Sequence, residues 1–306
     1  MQHRSYTLVS ACRDEAAYVD GLIDAVAAQT VQPFRWVIVD DGSTDGTYER
    51  VLERSRTLGF LEAARMPAGR PRSFSSKIYA VQHGCELVKG SGFQFIGFLD
   101  ADVRFGPEYY HKLFERFEAD ARLGLAGGMV VDLYAHRIDH IRSGSEEFHV
   151  PGAVQFFRRE CFEQIGGYVP VEVGGEDTIA DVMAMMRGWR IRSFPELEVQ
   201  HLRPEGSGKT NVLSRGMRWG RRFYLLGYHP LFYLVHCLRR AGQRPVIAGT
   251  LCQLLGFLMA SLKAGERPVS DEFVRFLRRM QVRRLGHEAA MLLPRKAAAR
   301  RATVGG

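Results

Sequence analysis

Short apolar runs, each followed by polar or acidic residues, recur along the first hundred residues of the chain. The runs at residues 6–9, 36–39 and 95–99 are typical of buried β-strands. The stretch of residues 16–29, which follows the first run, reads as a helix. Strands that alternate with helices predict an α/β fold in which the central strands run parallel.

Carboxylates follow each of these three strands. They are Asp14 and Glu15 after the first strand, Asp40 and Asp41 after the second, and Asp100 and Asp102 after the third. Because the carboxyl ends of parallel strands meet at one edge of a sheet, the acidic residues are expected to line one ligand crevice.

The segment Phe98-Leu99-Asp100-Ala101-Asp102 is the most informative of the three. Two ionised carboxylates one residue apart repel each other, and a divalent cation relieves that repulsion. Carboxylate oxygens suit Mg²⁺ or Mn²⁺, which are often shared with substrate phosphates. A structural alternative is that Asp102 caps a helix beginning near Pro107.

Taken together, these stretches resemble the inverting family 2 glycosyltransferases, which have the GT-A fold. The matching segments are residues 9–15, 37–47 (V-I-V-D-D-G-S-T-D-G-T), 98–102 and 174–177, the Arg187-Gly188-Trp189-Arg190-Ile191 run, and His201. The resemblance covers roughly residues 5–205. It departs from the family at the start, where Ser10-Ala11-Cys12-Arg13-Asp14-Glu15 replaces the frequent Pro-x-Tyr-Asn-Glu.

The resemblance implies a nucleotide-sugar-binding, Rossmann-like mixed sheet flanked by helices over residues 1–205. It also implies transfer of a sugar from a nucleoside-diphosphate sugar, first of all a UDP-sugar, to an acceptor hydroxyl. The basic, apolar C-terminal part of the chain suggests that the acceptor is a lipid-linked or polysaccharide-precursor glycan. The alternative is a membrane-docked binding or scaffold module built on an inactive glycosyltransferase fold.

The resemblance further implies a set of residues on the donor side. They are Ser10, Glu15, Asp40, Asp41, Lys77 and Asp100. Asp40 and Asp41 would accept hydrogen bonds from the nucleoside, since ionised carboxylates are acceptors only. Glu15 would help hold the base. Independently of the resemblance, Arg203, Arg215 or Arg218 is a candidate to close over the diphosphate, with solvated arginines on an amphipathic helix as the structural alternative. For Lys77, a solvated helix lysine is the structural alternative.

The implied metal site consists of Asp102, Asp100 and His201, with Mg²⁺ or Mn²⁺ bridging the donor diphosphate. Such an ion neutralises the charge that develops on the departing nucleoside diphosphate. His201 follows an alternating, strand-like stretch at residues 195–200. Its structural alternative is a half-buried histidine in a loop.

The implied catalytic pair is Glu176 and Asp177, which follows two glycines and precedes a helical stretch. Inverting transfer by direct displacement needs one base to remove the proton of the acceptor hydroxyl. The family's motif places that base at Asp177, while Glu176 would orient the acceptor or the loop. The structural alternative is that both acids simply favour the first turn of a helix.

The cysteines and the N-terminus indicate the compartment. The five cysteines are widely scattered and show neither metal-ligand spacing nor a disulfide framework, as expected in a reducing compartment. The chain enters its first strand directly and shows no signal peptide, so a cytoplasmic location is expected.

The charge divides the chain into two unlike parts. Residues 1–202 contain 22 Lys and Arg against 29 Asp and Glu, whereas residues 203–306 contain 20 against 5. The extension predicted over residues 206–306 is therefore basic. It is also expected to be helical and rich in apolar residues. A basic surface fits anionic lipid, nucleic acid or an acidic polymer. The apolar density and the absence of a recognised motif argue against nucleic acid.

The apolar segment at residues 246–262 leaves three alternatives for this extension. The segment is a helix buried against the catalytic domain, an interfacial or re-entrant membrane segment, or a full membrane span. A single span would carry an arginine-rich tail across the membrane, against the positive-inside bias. We expect association with the membrane surface at its cytoplasmic face.

Overall fold

The computed structural model describes residues 4–67, 75–90, 92–132, 147–203, 212–240, 248–263 and 266–292. The chain forms two compact units, Met1–Asn211 and Val212–Gly306. The boundary predicted between residues 205 and 206 lies outside the described residues.

The first unit is built on a mixed sheet of eight strands within the described residues. The strands are β1 (Tyr6–Cys12), β2 (Arg35–Asp40), β3 (Leu61–Arg65), β4 (Phe95–Phe98), β5 (Val103–Phe105), β6 (Leu123–Asp132), β7 (Phe156–Arg158) and β8 (Arg190–His201). Their order is β3-β2-β1-β4-β7-β6-β8-β5. Strands β1 to β4 run parallel, β7 is antiparallel to β4 and β6, and β5 is antiparallel to β8. The predicted mixed α/β sheet is confirmed.

Helices flank this sheet. They are α1 (Val19–Ala27), α2 (Thr47–Ser55), α3 (Ser76–Val88), α4 (Tyr109–Ala119), α5 (Arg159–Gln164) and α6 (Glu176–Met186), with a short 3₁₀ helix at Gly152–Val154. Successive residues of a strand point to opposite faces, so β1 supplies Leu8 to one buried cluster and Val9 to another. Because both faces are covered, the central strands are apolar on both sides.

Helix α1 is shorter than the predicted stretch of residues 16–29. It begins at Val19, and it buries Val19, Leu22, Ile23 and Val26 at helical spacing. The three preceding residues form a turn, in which the backbone carbonyl of Glu15 accepts from the amides of Tyr18 and Val19.

A bulge interrupts the pairing of β6 with β8. Gly128 pairs with Phe194, but the next residue, Met129, pairs with Glu198. A side chain at Gly128 would lie 2.1 Å from the backbone oxygen of Leu197, so only glycine permits this approach. Beyond the bulge the two strands stay in register up to His201.

The second unit is helical. Its helices are α7 (Val212–Leu225), α8 (Pro230–Arg240), α9 (Ala248–Leu262) and α10 (Asp271–Leu292). Helices α7 and α9 pack backbone against backbone, because a side chain at Gly220 would lie 2.0 Å from the carbonyl oxygen of Gln253. Glycines spaced four residues apart, as Gly216 and Gly220 are, permit such close helix contacts.

Helix α9 leaves one face exposed. That face carries Leu251, Leu255, Leu258, Met259 and Leu262, each between 42% and 76% exposed. Their spacing of three and four residues places them in one stripe. The apolar segment predicted at residues 246–262 corresponds to α9, except for residues 246 and 247, which are not among the residues that the structure describes. Among the described residues, no helix combines the length and the apolar character needed to cross a membrane.

Candidate active site

The carboxyl ends of β2, β1 and β4 lie side by side at one edge of the sheet. Val9 of β1 pairs with Phe98 of β4, and Cys12 pairs with Asp40 of β2. Just beyond β4, the amide of Asp100 donates to the carbonyl oxygen of Ala153, 3.1 Å away. This edge gathers the acidic residues that the sequence predicted to share one crevice.

Lys77 and Asp100 form an ion pair at the centre of this edge. The ammonium nitrogen of Lys77 lies 2.5 Å from Oδ1 of Asp100, and both side chains are partly exposed. Desolvation opposes the charge of Lys77, but the carboxylates of Asp100, Glu176 and Asp177 outweigh it and raise the lysine pKa. The cleft around the pair is also lined by Gly152. Lys77 is thus a helix lysine that is partly exposed and paired with Asp100.

Asp102 lies in a second charged group at the same edge. Its Oδ2 is 3.4 Å from Nε2 of His201 and 3.8 Å from Nε of Arg203. Burial alone would raise the pKa of Asp102, but these two neighbours lower it. Asp102 does not cap α4, which begins at Tyr109 after strand β5.

Glu15 joins this second group through Arg203, whose guanidinium donates to the glutamate carboxylate. Burial raises the pKa of Glu15 to about 7, with Arg203 lowering it and the charges of Asp102 and Asp100 raising it further. The guanidinium of Arg203 also lies over the ring of Tyr18, 5.1 Å from its centroid. Glu15 thus lies where adding a negative charge is costly and adding a cation is favourable.

Asp102 and His201 are the two residues of the expected metal site that lie together: Oδ2 of Asp102 and Nε2 of His201 are 3.4 Å apart and contact each other directly. Asp100 is engaged by Lys77 instead. Within the described ranges, no three His, Cys, Asp or Glu side chains are arranged to hold a metal by themselves. One or two protein ligands nonetheless suit Mg²⁺ or Mn²⁺ that takes its remaining ligands from a substrate diphosphate.

Asp40 and Asp41 end strand β2, and each contacts an arginine. Asp40 is 1% exposed, and its Oδ2 lies 3.3 Å from Nε of Arg65. Oδ2 of Asp41 lies 3.3 Å from Nη1 of Arg13. Neither arginine was predicted from the sequence as a partner of these carboxylates, because the ion pairs join residues 25 and 28 positions apart.

Ser10 is not brought into this group of side chains. Its hydroxyl accepts a hydrogen bond from the indole N–H of Trp36, at 3.1 Å, and the residue is 1% exposed. Ser10 shares one face of β1 with Leu8 and Cys12, and that face packs into the core.

The loops after β1 and β2 are tied together by side-chain acceptors. The amide of Asp14 donates to the hydroxyl of Ser43 at 2.9 Å, and the amide of Ala16 donates to Oδ2 of Asp45 at 2.9 Å. The other oxygen of Asp45 accepts from the amide of Thr47 at the start of α2. Asp14 has a left-handed backbone, with φ of 55°. In the sequence, this network is indicated by the Ser-Thr-Asp run at residues 43–45, whose side chains can accept hydrogen bonds from nearby backbone amides.

Glu176 and Asp177 begin helix α6. Gly175 before them has φ of 101°, a conformation that glycine adopts readily, and its amide donates to Oε2 of Glu176. Oδ1 of Asp177 accepts from the amide of Thr178 at 2.7 Å. A side chain at Gly152 would lie 3.0 Å from Cβ of Asp177. Asp177 therefore lies against the segment that follows residue 150, facing the Lys77 and Asp100 cleft.

One family model matches this chain, that of Glycosyl transferase family 2, over residues 7–168. The match covers more than half of the chain and includes the first three strand ends of the site. No curated protein matches the chain.

Solved structures share the fold. Mannosyltransferase PcManGT from Pyrobaculum calidifontis, in complex with GDP-Man and Mn²⁺, is 16% identical with a TM-score of 0.53, covering 95% of this chain and 81% of its own. TarS 1-349 from S. aureus, in complex with UDP-GlcNAc, is 15% identical with a TM-score of 0.54, covering 72% and 65%. GalNAc-T7 with UDP, GalNAc and Mn²⁺ is 14% identical with a TM-score of 0.58, covering 95% and 58%. The chain thus spans less than two thirds of TarS 1-349 and GalNAc-T7. At these identities the likeness establishes the GT-A fold.

Replacing Asp45 tests the link between the two loops. Asp45→Ala removes two backbone hydrogen bonds, and we expect the free energy of unfolding to fall by about 1–2 kcal/mol, as for the loss of a helix cap. Burial would raise the pKa of Asp45, but a further hydrogen bond from the hydroxyl of Thr47, together with the two backbone hydrogen bonds, outweighs it and lowers that pKa. The stabilisation is therefore present above about pH 4 and is lost as the pH falls through the folded-state pKa.

Urea unfolding at pH 7 and at a series of lower pH values measures this difference. The control is Asp24→Ala, which removes a 65% exposed partner of Arg54 and should cost at most about 0.5 kcal/mol. Equal losses for the two variants at pH 7 would contradict the role given to Asp45.

Proposed function

The chain belongs to glycosyl transferase family 2, and from that membership we propose that it moves a sugar from a nucleoside-diphosphate sugar to an acceptor hydroxyl. The observation that supports this most is the edge of the sheet where two groups of carboxylates each hold one protein cation, Lys77 and Arg203. The first candidate for the donor is a UDP-sugar, and the first candidate for the acceptor is a lipid-linked or polysaccharide-precursor glycan.

Lys77 and Arg203 are the side chains suited to the donor diphosphate. Each is held at the sheet edge by a carboxylate, Asp100 and Glu15 respectively. A diphosphate brings negative charge that both cations can bind, and arginine binds phosphate oxygens in pairs. Asp41, at the end of the neighbouring strand, is placed to accept hydrogen bonds from the nucleoside.

Asp102 and His201 are the residues that would hold a divalent ion, Mg²⁺ or Mn²⁺. When bound, the ion would offset the charge that develops on the departing nucleoside diphosphate. Support comes from the approach of the two side chains to 3.4 Å and from the carboxylate chemistry of the edge. Two of the similar structures contain Mn²⁺.

Asp177 is the proposed base. It lies beside the cleft that contains Asp100, and a carboxylate there can take the proton of an acceptor hydroxyl as that oxygen attacks the anomeric carbon. Attack from the side opposite the leaving diphosphate inverts the configuration in a single displacement. Glu176 would orient the acceptor or the loop beside it.

We also propose that the second unit attaches the enzyme to the cytoplasmic face of the membrane. Its support is the apolar stripe of α9, which contains Leu255 and Leu258 and is followed by exposed Lys263. Helix α8 has a similar exposed row at Leu231, Leu234 and Leu238. Apolar side chains beside a strong excess of Lys and Arg suit an anionic lipid interface.

Calorimetric titration of the detergent-solubilised protein with UDP and with GDP, each with and without Mn²⁺, tests the donor site. One nucleotide should bind at least about tenfold more tightly with Mn²⁺, since the metal and the diphosphate share ligands. Asp102→Ala should abolish that gain, whereas Asp24→Ala, at an exposed ion pair, should keep it.

If neither UDP nor GDP binds, the donor nucleotide has a different nucleobase. Failure of a wider nucleotide panel would favour the alternative of a binding or scaffold module without activity.

Asp177→Asn tests the base separately from donor binding. The amide cannot take a proton, so turnover should fall about 10²- to 10⁴-fold, as for other general bases. The affinity for the nucleotide should stay within about twofold. The release of nucleoside diphosphate from the matching donor sugar measures turnover, and turnover close to that of the unchanged protein would eliminate Asp177 as the base.

Sedimentation with lipid vesicles tests the membrane surface. The full chain should bind vesicles of 30% phosphatidylglycerol in phosphatidylcholine, and 0.5 M salt should weaken that binding. Exchanging both Leu255 and Leu258 for Asp should weaken it at least about tenfold, because each buried leucine contributes about 1.5–3 kcal/mol.

The control is Leu87→Asp, at a leucine of similar partial exposure on α3. Binding that is lost equally in this control, or that is unchanged in the double variant, would refute the α9 stripe as the membrane surface.

A further inference from the structure

A second carboxylate lies one helical turn after Asp177. Asp181 is on the same helix, α6, and residues four apart share one face of a helix. Unlike Asp177, Asp181 is buried, with a side chain 1% exposed. It is not among the residues for which the sequence suggested a role, and it lies outside the donor cleft.

Three donors surround the Asp181 carboxylate, all from one segment of chain. Nδ1 of His149 lies 2.7 Å from Oδ2, and the side-chain amide of Gln155 donates to Oδ1 at 3.1 Å. The backbone amide of Val150 points at both oxygens, at 3.3 and 3.4 Å. Asp181 therefore attaches the segment of residues 149–155 to helix α6.

Gln155 extends the attachment to the base itself. Its amide nitrogen also lies 3.4 Å from the backbone oxygen of Asp177, and its carbonyl oxygen accepts from the hydroxyl of Tyr168 at 2.5 Å. Gln155 is 0% exposed. Hydrogen-bonded networks of buried groups are rigid when every member has a partner.

The same segment contacts both sides of the reaction site. Ala153 accepts the backbone hydrogen bond of Asp100 on the donor side, and Gly152 lies against Asp177. The spacing between the proposed base and the donor cleft is therefore set by how residues 149–155 are held. Asp181 holds these residues through its contacts with His149, Val150 and Gln155.

A buried carboxylate is costly unless donors satisfy it. Burial raises the pKa of Asp181 to about 6, while the hydrogen bond and charge of His149 lower it and the charge of Asp177 raises it. If the only role of this position were to support the fold, well-packed apolar side chains could replace the carboxylate and its partners. An ionised carboxylate has two acceptor oxygens and no donor, whereas the asparagine amide, of the same size, has one acceptor oxygen and presents an NH₂ group in place of the other.

We propose that Asp181 is a positioning residue for sugar transfer: its carboxylate fixes residues 149–155 against α6 and so places Asp177 at the donor cleft. This inference rests on the proposed function. Asp181 does not touch substrate; it acts through His149, Val150 and Gln155.

Asp181→Asn is the first test. The amide keeps the shape but turns an NH₂ group toward one of the donors, so residues 149–155 lose an anchor. Turnover, measured as nucleoside diphosphate release from the donor sugar, should fall about 10- to 100-fold, as expected for a base displaced by about an ångström. The KM for the donor should stay within about twofold. The control Asp24→Asn makes the same exchange at an exposed ion pair.

Tyr168→Phe is a milder variant that decides the matter if Asp181→Asn does not fold. It removes the hydrogen bond to Gln155 and keeps the aromatic packing with Phe98, Phe157 and Phe162. We expect turnover to fall about threefold to tenfold, with the donor KM unchanged. A turnover equal to that of the unchanged protein in the folded variants, or a parallel loss of donor affinity, would overturn the proposal.

Hydrogen exchange separates this proposal from the proposed function. In Asp181→Asn, or in Tyr168→Phe if the former does not fold, the backbone amides of residues 149, 150 and 152–155 should exchange at least about tenfold faster than in the unchanged protein. Unchanged exchange would refute the attachment, whatever the activity. If the unchanged protein releases no nucleoside diphosphate from any donor, the proposed function fails, and the exchange result still tells whether Asp181 holds the segment.

Discussion

Repulsion between carboxylates is the constraint on which this site depends. Parallel strands bring Glu15, Asp100 and Asp102 to one edge of the sheet, and helix α6 adds Asp177. Two like charges about 4 Å apart repel by about 4 kcal/mol at a partly exposed site. The fold offsets that repulsion with cations placed among the acids, and the positions of those cations define where a charged ligand fits.

The two cations, Lys77 and Arg203, come from distant parts of the sequence. Lys77 is on α3, which packs on β1 and β2, whereas Arg203 follows β8 at the far side of the sheet. Arg203 reaches Asp102 because β5, which follows Asp102, pairs with the end of β8. On its other side β8 pairs with β6, through the bulge that Gly128 permits. The contact between Arg203 and Asp102 therefore follows from the pairing of the last strands.

The sequence predicted what is local and missed what is not. An apolar run followed by Asp40 or by Asp100 predicts a strand end, because burial stops where the carboxylate starts. It does not tell which way Ser10 points, since both faces of a central strand are apolar. The contacts of Asp181 join residues 26 and 32 positions apart, so no spacing rule could reveal them.

The partners of each carboxylate separate two kinds of acid in this unit. Asp100 and Asp102 are met by the partly exposed side chains of Lys77 and Arg203, and such contacts can be exchanged for those of a charged ligand without unpairing the backbone. Asp181 is met by the buried backbone amide of Val150 and by the buried side-chain amide of Gln155, which also donates to backbone carbonyl oxygens. Exchange there would leave the amide of Val150 unsatisfied, at about 1–3 kcal/mol. A carboxylate satisfied by exchangeable cations is suited to binding, whereas one satisfied by buried N–H groups is suited to holding its neighbours in place.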